Sequence, residues 1–148
     1  MPTDSDLDID IGRLAGALFV SLGLVRRRLR QQKVPGDLSF PETAALARLD
    51  RDGPATSAEL ARQEQISPQS MGATLGALQD RGLIERSADP ADGRRVVLTM
   101  SDSGKSALQN RRRARVEQLA QGLVGFTAEE LEVLRNAAPL IERLAGQL

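Results

Sequence analysis

Residues 56–104 read TSAELARQEQISPQSMGATLGALQDRGLIERSADPADGRRVVLTMSDSG, and this stretch decides the fold. Thr56 and Glu59 have the spacing of a capping box, in which a hydroxyl and a carboxylate three residues later satisfy each other's backbone N–H. They open a short helix over 57–63 whose inward residues are Leu60 and Ala61. Gln65 and Ile66 turn the chain. Ser67-Pro68 starts a second helix, with serine as cap and proline at the first helical position, where no N–H is needed. That helix runs to about Arg81 and stops at Gly82. On a helical wheel Met71, Leu75 and Leu78 form one narrow buried stripe. Gln69, Ala73, Gly76 and Ala77 lie opposite, with Ser70 to one side and Thr74 beside the stripe. The outward face is small and polar, the profile of a helix that enters a groove.

After Gly82 the period changes from helical to alternating, which predicts strands over 83–87 and 95–100. Between them Asp89-Pro-Ala-Asp-Gly93 is a dense cluster of turn formers. The result is a β-hairpin with Arg94 and Arg95 at its returning edge. Downstream, Ser101 caps a helix to about Leu123, and Asp102 sits favourably against its dipole. Ala107, Leu108, Val116 and Leu119 form its apolar side. Gly122, Gly125 and Phe126 break it. Thr127-Ala-Glu-Glu130 is a second capping box, opening a last helix with Leu131, Leu134, Ala138, Ile141 and Leu144; Pro139 inside it predicts a kink. Upstream, apolar residues recur every three or four positions from Leu7 to Leu29, predicting a helix over 7–32 that Lys33-Val-Pro-Gly-Asp37 ends. A further helix spans 41–50, with Ser39 or Phe40 near its cap and Gly53-Pro54 closing it.

This order gives a mainly α fold with a small β-hairpin wing. Residues 36–101 have the layout of a winged helix-turn-helix, whose second helix enters the DNA major groove. The flanking helices of 1–35 and 102–148 carry more apolar surface than so small a domain covers, so a second copy of the chain is expected to pack on them as a homodimer. Net charge is zero, but 36–101 holds seven arginines against ten acids, a net of −3, while 66–79 contains no acid at all. A duplex repels carboxylates, so that clear stretch fits a surface facing phosphate, with chance in a short segment as the plain alternative.

Composition excludes several classes. The 148 residues suit one compact unit. There is no Cys, His, Trp or Tyr, which removes disulfides, thiolate chemistry and the best transition-metal and nucleophile–base components. No paired-carboxylate constellation appears, so neither an enzyme nor a cofactor is expected. The longest nearly apolar run, 14–25, falls short of the roughly 20 residues a bilayer demands, and the acidic start is the wrong charge for a secretory signal. The expected location is cytoplasmic, with no membrane partner.

The stretch 60–104 resembles MarR-family regulators. The resemblance is carried by Leu78-x-x-x-Gly82-Leu83-Ile84, by the wing pattern Asp89-Pro90-x-Asp92-x-Arg94, and by Met100-Ser101-x-x-Gly104. It implies a homodimer on a pseudo-palindromic operator in double-stranded DNA, usually repressing and often released by a small aromatic or lipophilic effector. It also implies that Ser67, Gln69 and Ser70 touch bases and phosphates, with Thr74 a weaker candidate. Arg94 matches the wing arginine of the minor groove, and Asp92 the acid that steadies it. A narrow minor groove concentrates negative potential, which suits arginine independently of the resemblance. Arg95 joins Arg94 as a contact candidate, with ordinary solvated charges as the alternative for both. Ala73 and Gly76 depart from the family, whose members often carry Arg or Lys there, so base readout is expected to be sparse. The runs Arg26–Arg30 and Arg111–Arg115 look like nucleic-acid patches but spread around their helices, so they read as solvated or paired charges, with phosphate contact as the alternative. Phe19 and Phe40 are candidates for a ligand pocket, with core packing as the alternative. A winged helix that binds another protein instead of DNA is the competing function.

Overall fold

The structure, a computed structural model, describes residues 9–32, 34 and 36–148. The expected helix start at Leu7 and the breaker Pro35 lie outside those residues, while the second breaker, Gly36, adopts φ 73°. The chain divides into two compact units, Met1–Asp37 and Leu38–Leu148, and not the single unit expected from its length.

In the first unit, helix α1 spans Ile11–Gln31. It begins after Asp10, which has extended backbone and accepts from the Arg13 N–H at 3.1 Å. The sequence gives no sign of this cap, because the apolar period continues smoothly through it. No residue of α1 is buried.

In the second unit the elements follow the expected order: α2 Phe40–Asp52, α3 Ser57–Gln63, α4 Pro68–Asp80, β1 Ile84–Ala88, β2 Val96–Met100, α5 Asp102–Leu123 and α6 Ala128–Ala145. Local chemistry explains their ends. Ser39 and Glu42 complete a capping box on α2, and Gly53, at φ 81°, closes it. Thr56/Glu59 and Thr127/Glu130 do the same at the starts of α3 and α6. Gly82, at φ 69°, lets the chain leave α4 for β1. Pro139 lies inside a continuous α6.

The two strands pair antiparallel from Ile84↔Met100 to Ala88↔Val96. A third stretch joins them: Ala55 and Leu98 exchange both backbone hydrogen bonds, at 3.2 and 2.8 Å. The core lies beneath this small sheet. Leu46 and Leu49 of α2, Leu60 of α3, Met71, Leu75 and Leu78 of α4, and Ile84 and Leu98 of the strands are buried together.

The start of α5 is keyed to the same core. Ser101 Oγ donates to the Gly82 carbonyl at 2.6 Å, and the Ser101 N–H donates to Leu83 O at 3.0 Å. At Gly104 a side chain has no room: a Cβ would collide with Leu83 O and lie 2.9 Å from Met100 Cγ. Arg111 Nη1 then donates to Leu38 O at 2.6 Å, and Ala107 and Leu108 pack against the core. Beyond this docked half, Val116, Leu119 and Leu123 are exposed, and α6 buries no residue.

Candidate nucleic-acid interface

Two elements project functional candidates: α4 with the turn before it, and the tip of the hairpin. The turn after α3 is tight. Glu64 is the C-cap, Gln65 adopts φ 54°, and the Ile66 N–H returns to Ala61 O at 3.1 Å. Arg48 of α2 reaches Glu64 at 2.9 Å, and this hydrogen bond holds the guanidinium above its ordinary pKa. The bond ties α2 to the turn that aims α4.

Within α4 the buried stripe falls as expected, with Met71, Leu75 and Leu78 essentially inaccessible. Ser67 Oγ accepts from the Ser70 N–H at 3.1 Å and lies 2.9 Å from Ser70 Oγ. Ser67 is therefore a working N-cap, and its hydroxyl is shared with Ser70. Thr74 is half-buried and donates to the Ser70 carbonyl at 3.1 Å, which turns its hydroxyl back onto the helix. Gln69 is exposed at the amino end, with Gly72 and Ala73 exposed behind it. No acid occupies the first turn of α4 and no base its last.

The hairpin tip is organised by its aspartates. Asp89 Oδ1 accepts from the Ala91 N–H at 2.9 Å, and Asp92 Oδ1 accepts from the Arg94 N–H at 3.1 Å. Asp92 thus steadies Arg94 through the backbone, by an Asx-type bond. The backbone of Arg95 closes the tip, donating to Asp92 O at 3.0 Å and accepting from the Asp89 N–H at 2.8 Å. The two arginines part company in their side chains. Arg94 is exposed and has no ion-pair partner among the described residues. Arg95 instead bonds Glu59 Oε1 of α3 through Nη2, and its Nη1 lies 3.9 Å from Asp89 Oδ2. Glu59 is held below the ordinary carboxylate pKa, first by the Thr56 backbone N–H and then by Arg95.

Phe19 and Phe40 fall in different compact units, at 81% and 60% exposure. The core-packing alternative fails for both, because the aliphatic core closes without them. Sequence reasoning missed the long-range ties: Arg95–Glu59, Arg48–Glu64, Arg81–Glu42 at 3.4 Å, and Arg86 donating to Gln79 at 2.6 Å. The one available signal was Glu59 itself, whose capping role uses a single carboxylate oxygen. Among the described residues no cluster of acids could hold a metal ion, and no helix is long and apolar enough to cross a membrane.

The model of the MarR family matches residues 36–95, the segment carrying both projecting elements. A helix-turn-helix transcriptional regulator of Mycobacterium leprae is 36% identical over 141 residues, covering 95% of this chain and 98% of the relative. The chain belongs to the MarR family. A helix-turn-helix transcriptional repressor of Mycobacterium tuberculosis is 34% identical over 133 residues, or 88% of this chain and 93% of that one. Among solved structures, a transcriptional regulator protein from Pseudomonas aeruginosa superposes with TM-score 0.77 at 31% identity, covering 90% of this chain and 95% of the other. The chain is therefore a DNA-binding transcriptional regulator of the MarR family, with the winged-helix fold of its relatives. The family is one of transcription regulators and not of enzymes.

Proposed function

We propose that this MarR-family regulator is a repressor that binds a pseudo-palindromic operator as a homodimer. The observation that carries the reading is uncovered apolar surface on the outer helices. Neither α1 nor α6 buries a single residue in the lone chain, yet Ile11, Phe19, Val20 and Leu24 of α1, and Val133, Leu134 and Leu140 of α6, are exposed. Apolar surface on this scale marks an interface, and a second copy is the occupant common to both helices. Repression is supported by the mycobacterial relative named a repressor.

In this reading Gln69, Ser67 and Ser70 meet the major groove, Arg94 enters the adjacent minor groove, and Asp92 fixes its backbone. Thr74 contributes least, because its hydroxyl is already bonded. Release by a small lipophilic effector requires a ligand that prefers a dimer whose reading helices are wrongly spaced. Phe19 and Phe40, each exposed in its own unit, are separate aromatic candidates for contact with such a ligand. Selection from random duplexes tests the proposal. It should return an inverted repeat with half-site centres about 10 base pairs, one helical turn, or a multiple of that, apart. A single unpaired site, or no enrichment, would contradict it.

A further inference from the structure

Adjacent arginines at the wing tip differ in a way that separates contact from aim. Glu59 is divided between two tasks. Its Oε2 accepts from the Thr56 N–H at 2.9 Å and closes the α3 capping box, while Oε1 is bound by the Arg95 guanidinium. Arg95 is also anchored in the hairpin by both backbone hydrogen bonds, so its side chain spans from the tip of the wing to the amino end of α3. Asp89, the second carboxylate beside it, is fixed in turn by the Ala91 N–H. Nearer the base of the wing, the Ala55–Leu98 bridge joins it to the body on the same side. A two-stranded hairpin alone is marginally stable and free to tilt, so a strut at its far end sets its angle.

We propose that Arg95 is a positioning residue: held by Glu59 and Asp89, it locks the wing against α3 so that Arg94 is aimed outward. Arg94 then meets phosphate and groove, whereas Arg95 acts through it. The inference rests on the DNA-binding reading of the wing. Glu59 has a consequence of unusual sign here. As a carboxylate near the DNA-facing surface it should repel a duplex, yet as half of the strut its removal should weaken binding.

The test uses the full-length protein and one duplex carrying the selected operator, with fluorescence anisotropy across a salt series. Glu59→Gln is the informative variant, because glutamine preserves the capping box and removes only the charge. Glu59→Gln and Arg95→Ala should each weaken binding by up to about fivefold, the upper range for an exposed ion pair. The double variant should be no weaker than the worse single one. Both lines should run parallel to wild type on a plot of log K against log salt, whereas Arg94→Ala should lower the slope by about 0.9 for each phosphate that the arginine neutralises. Tighter binding by Glu59→Gln, or a reduced slope for Arg95→Ala, would make Arg95 a phosphate contact and overturn the proposal. Amide exchange across 88–96 without DNA supplies the independent readout. It should quicken in both single variants, and unchanged exchange would show that no strut exists. If the wild type binds no duplex at any salt, the DNA-binding reading and the aiming role fail together; the exchange result then tells separately whether the strut itself is present.

Discussion

Arg94 and Gly104 show how single positions are fixed by opposite demands, one by openness and one by contact. Arg94 stands at the returning edge of the wing with its backbone held by Asp92 and its guanidinium uncommitted among the described residues. Arg94→Ala should weaken operator binding at least about tenfold, or about 1.4 kcal/mol, while leaving the dimer intact. Gel shift and light scattering on the same sample check both halves. Gly104 carries no chemistry, but a methyl there meets the Leu83 carbonyl, a backbone atom that cannot step aside. Gly104→Ala should destabilise the fold by about 1–3 kcal/mol in urea unfolding, the usual cost of overpacking. An unchanged midpoint would mean that α5 can slide on the sheet.

At the scale of elements, the turn between α3 and α4 sets how α4, the proposed reading helix, is presented. Gln65 occupies φ 54°, a region that costs most side chains and is worst for β-branched ones. Gln65→Val should lose about 1–2 kcal/mol of stability, whereas Gln65→Gly should hold or gain; thermal melts distinguish them. The wing and α3 are coupled through Glu59, whose folded pKa is depressed by Thr56 and Arg95. Its contribution is therefore complete above the unfolded carboxylate pKa and is lost as pH falls through the folded one. Acidification through the carboxylate range should lower the melting temperature, and Glu59→Gln should shallow that decline. An identical pH profile in the variant would contradict the coupling.

Legibility in the sequence follows from how local each cause is. Ser67-Pro68, the Thr56/Glu59 pair and the stripe of Met71, Leu75 and Leu78 act within one or two helical turns, so their reading matches the structure closely. The hairpin and its turn cluster at 89–93 are legible for the same reason, while the link from Asp92 to Arg94 is implied by the family resemblance. What escapes a sequence reading is carried across the chain. Nothing near Arg95 in sequence indicates Glu59, and nothing near Gly104 indicates the Leu83 carbonyl. Asp10 is hidden by an uninterrupted apolar period. Core packing fails for Phe19 and Phe40, because hydrophobicity alone does not tell an interior position from an exposed one.

For the whole molecule, the decisive quantity is the apolar surface left on α1 and α6. An isolated chain would present it to water, and in the proposed homodimer a second copy covers it and sets the distance between two α4 helices. Removal of residues 126–148 should abolish dimers and specific binding together, as seen by light scattering and gel shift. A stable truncated dimer would place the interface elsewhere. In the proposed complex, paired α4 helices lie in successive major grooves, each flanked by an Arg94 in a minor groove. Hydroxyl-radical footprinting addresses that arrangement most directly. The expected pattern is two protected patches related by a dyad about one helical turn apart, with outer minor-groove protections that Arg94→Ala erases. A single patch without dyad symmetry, or outer protections untouched by that substitution, would contradict it.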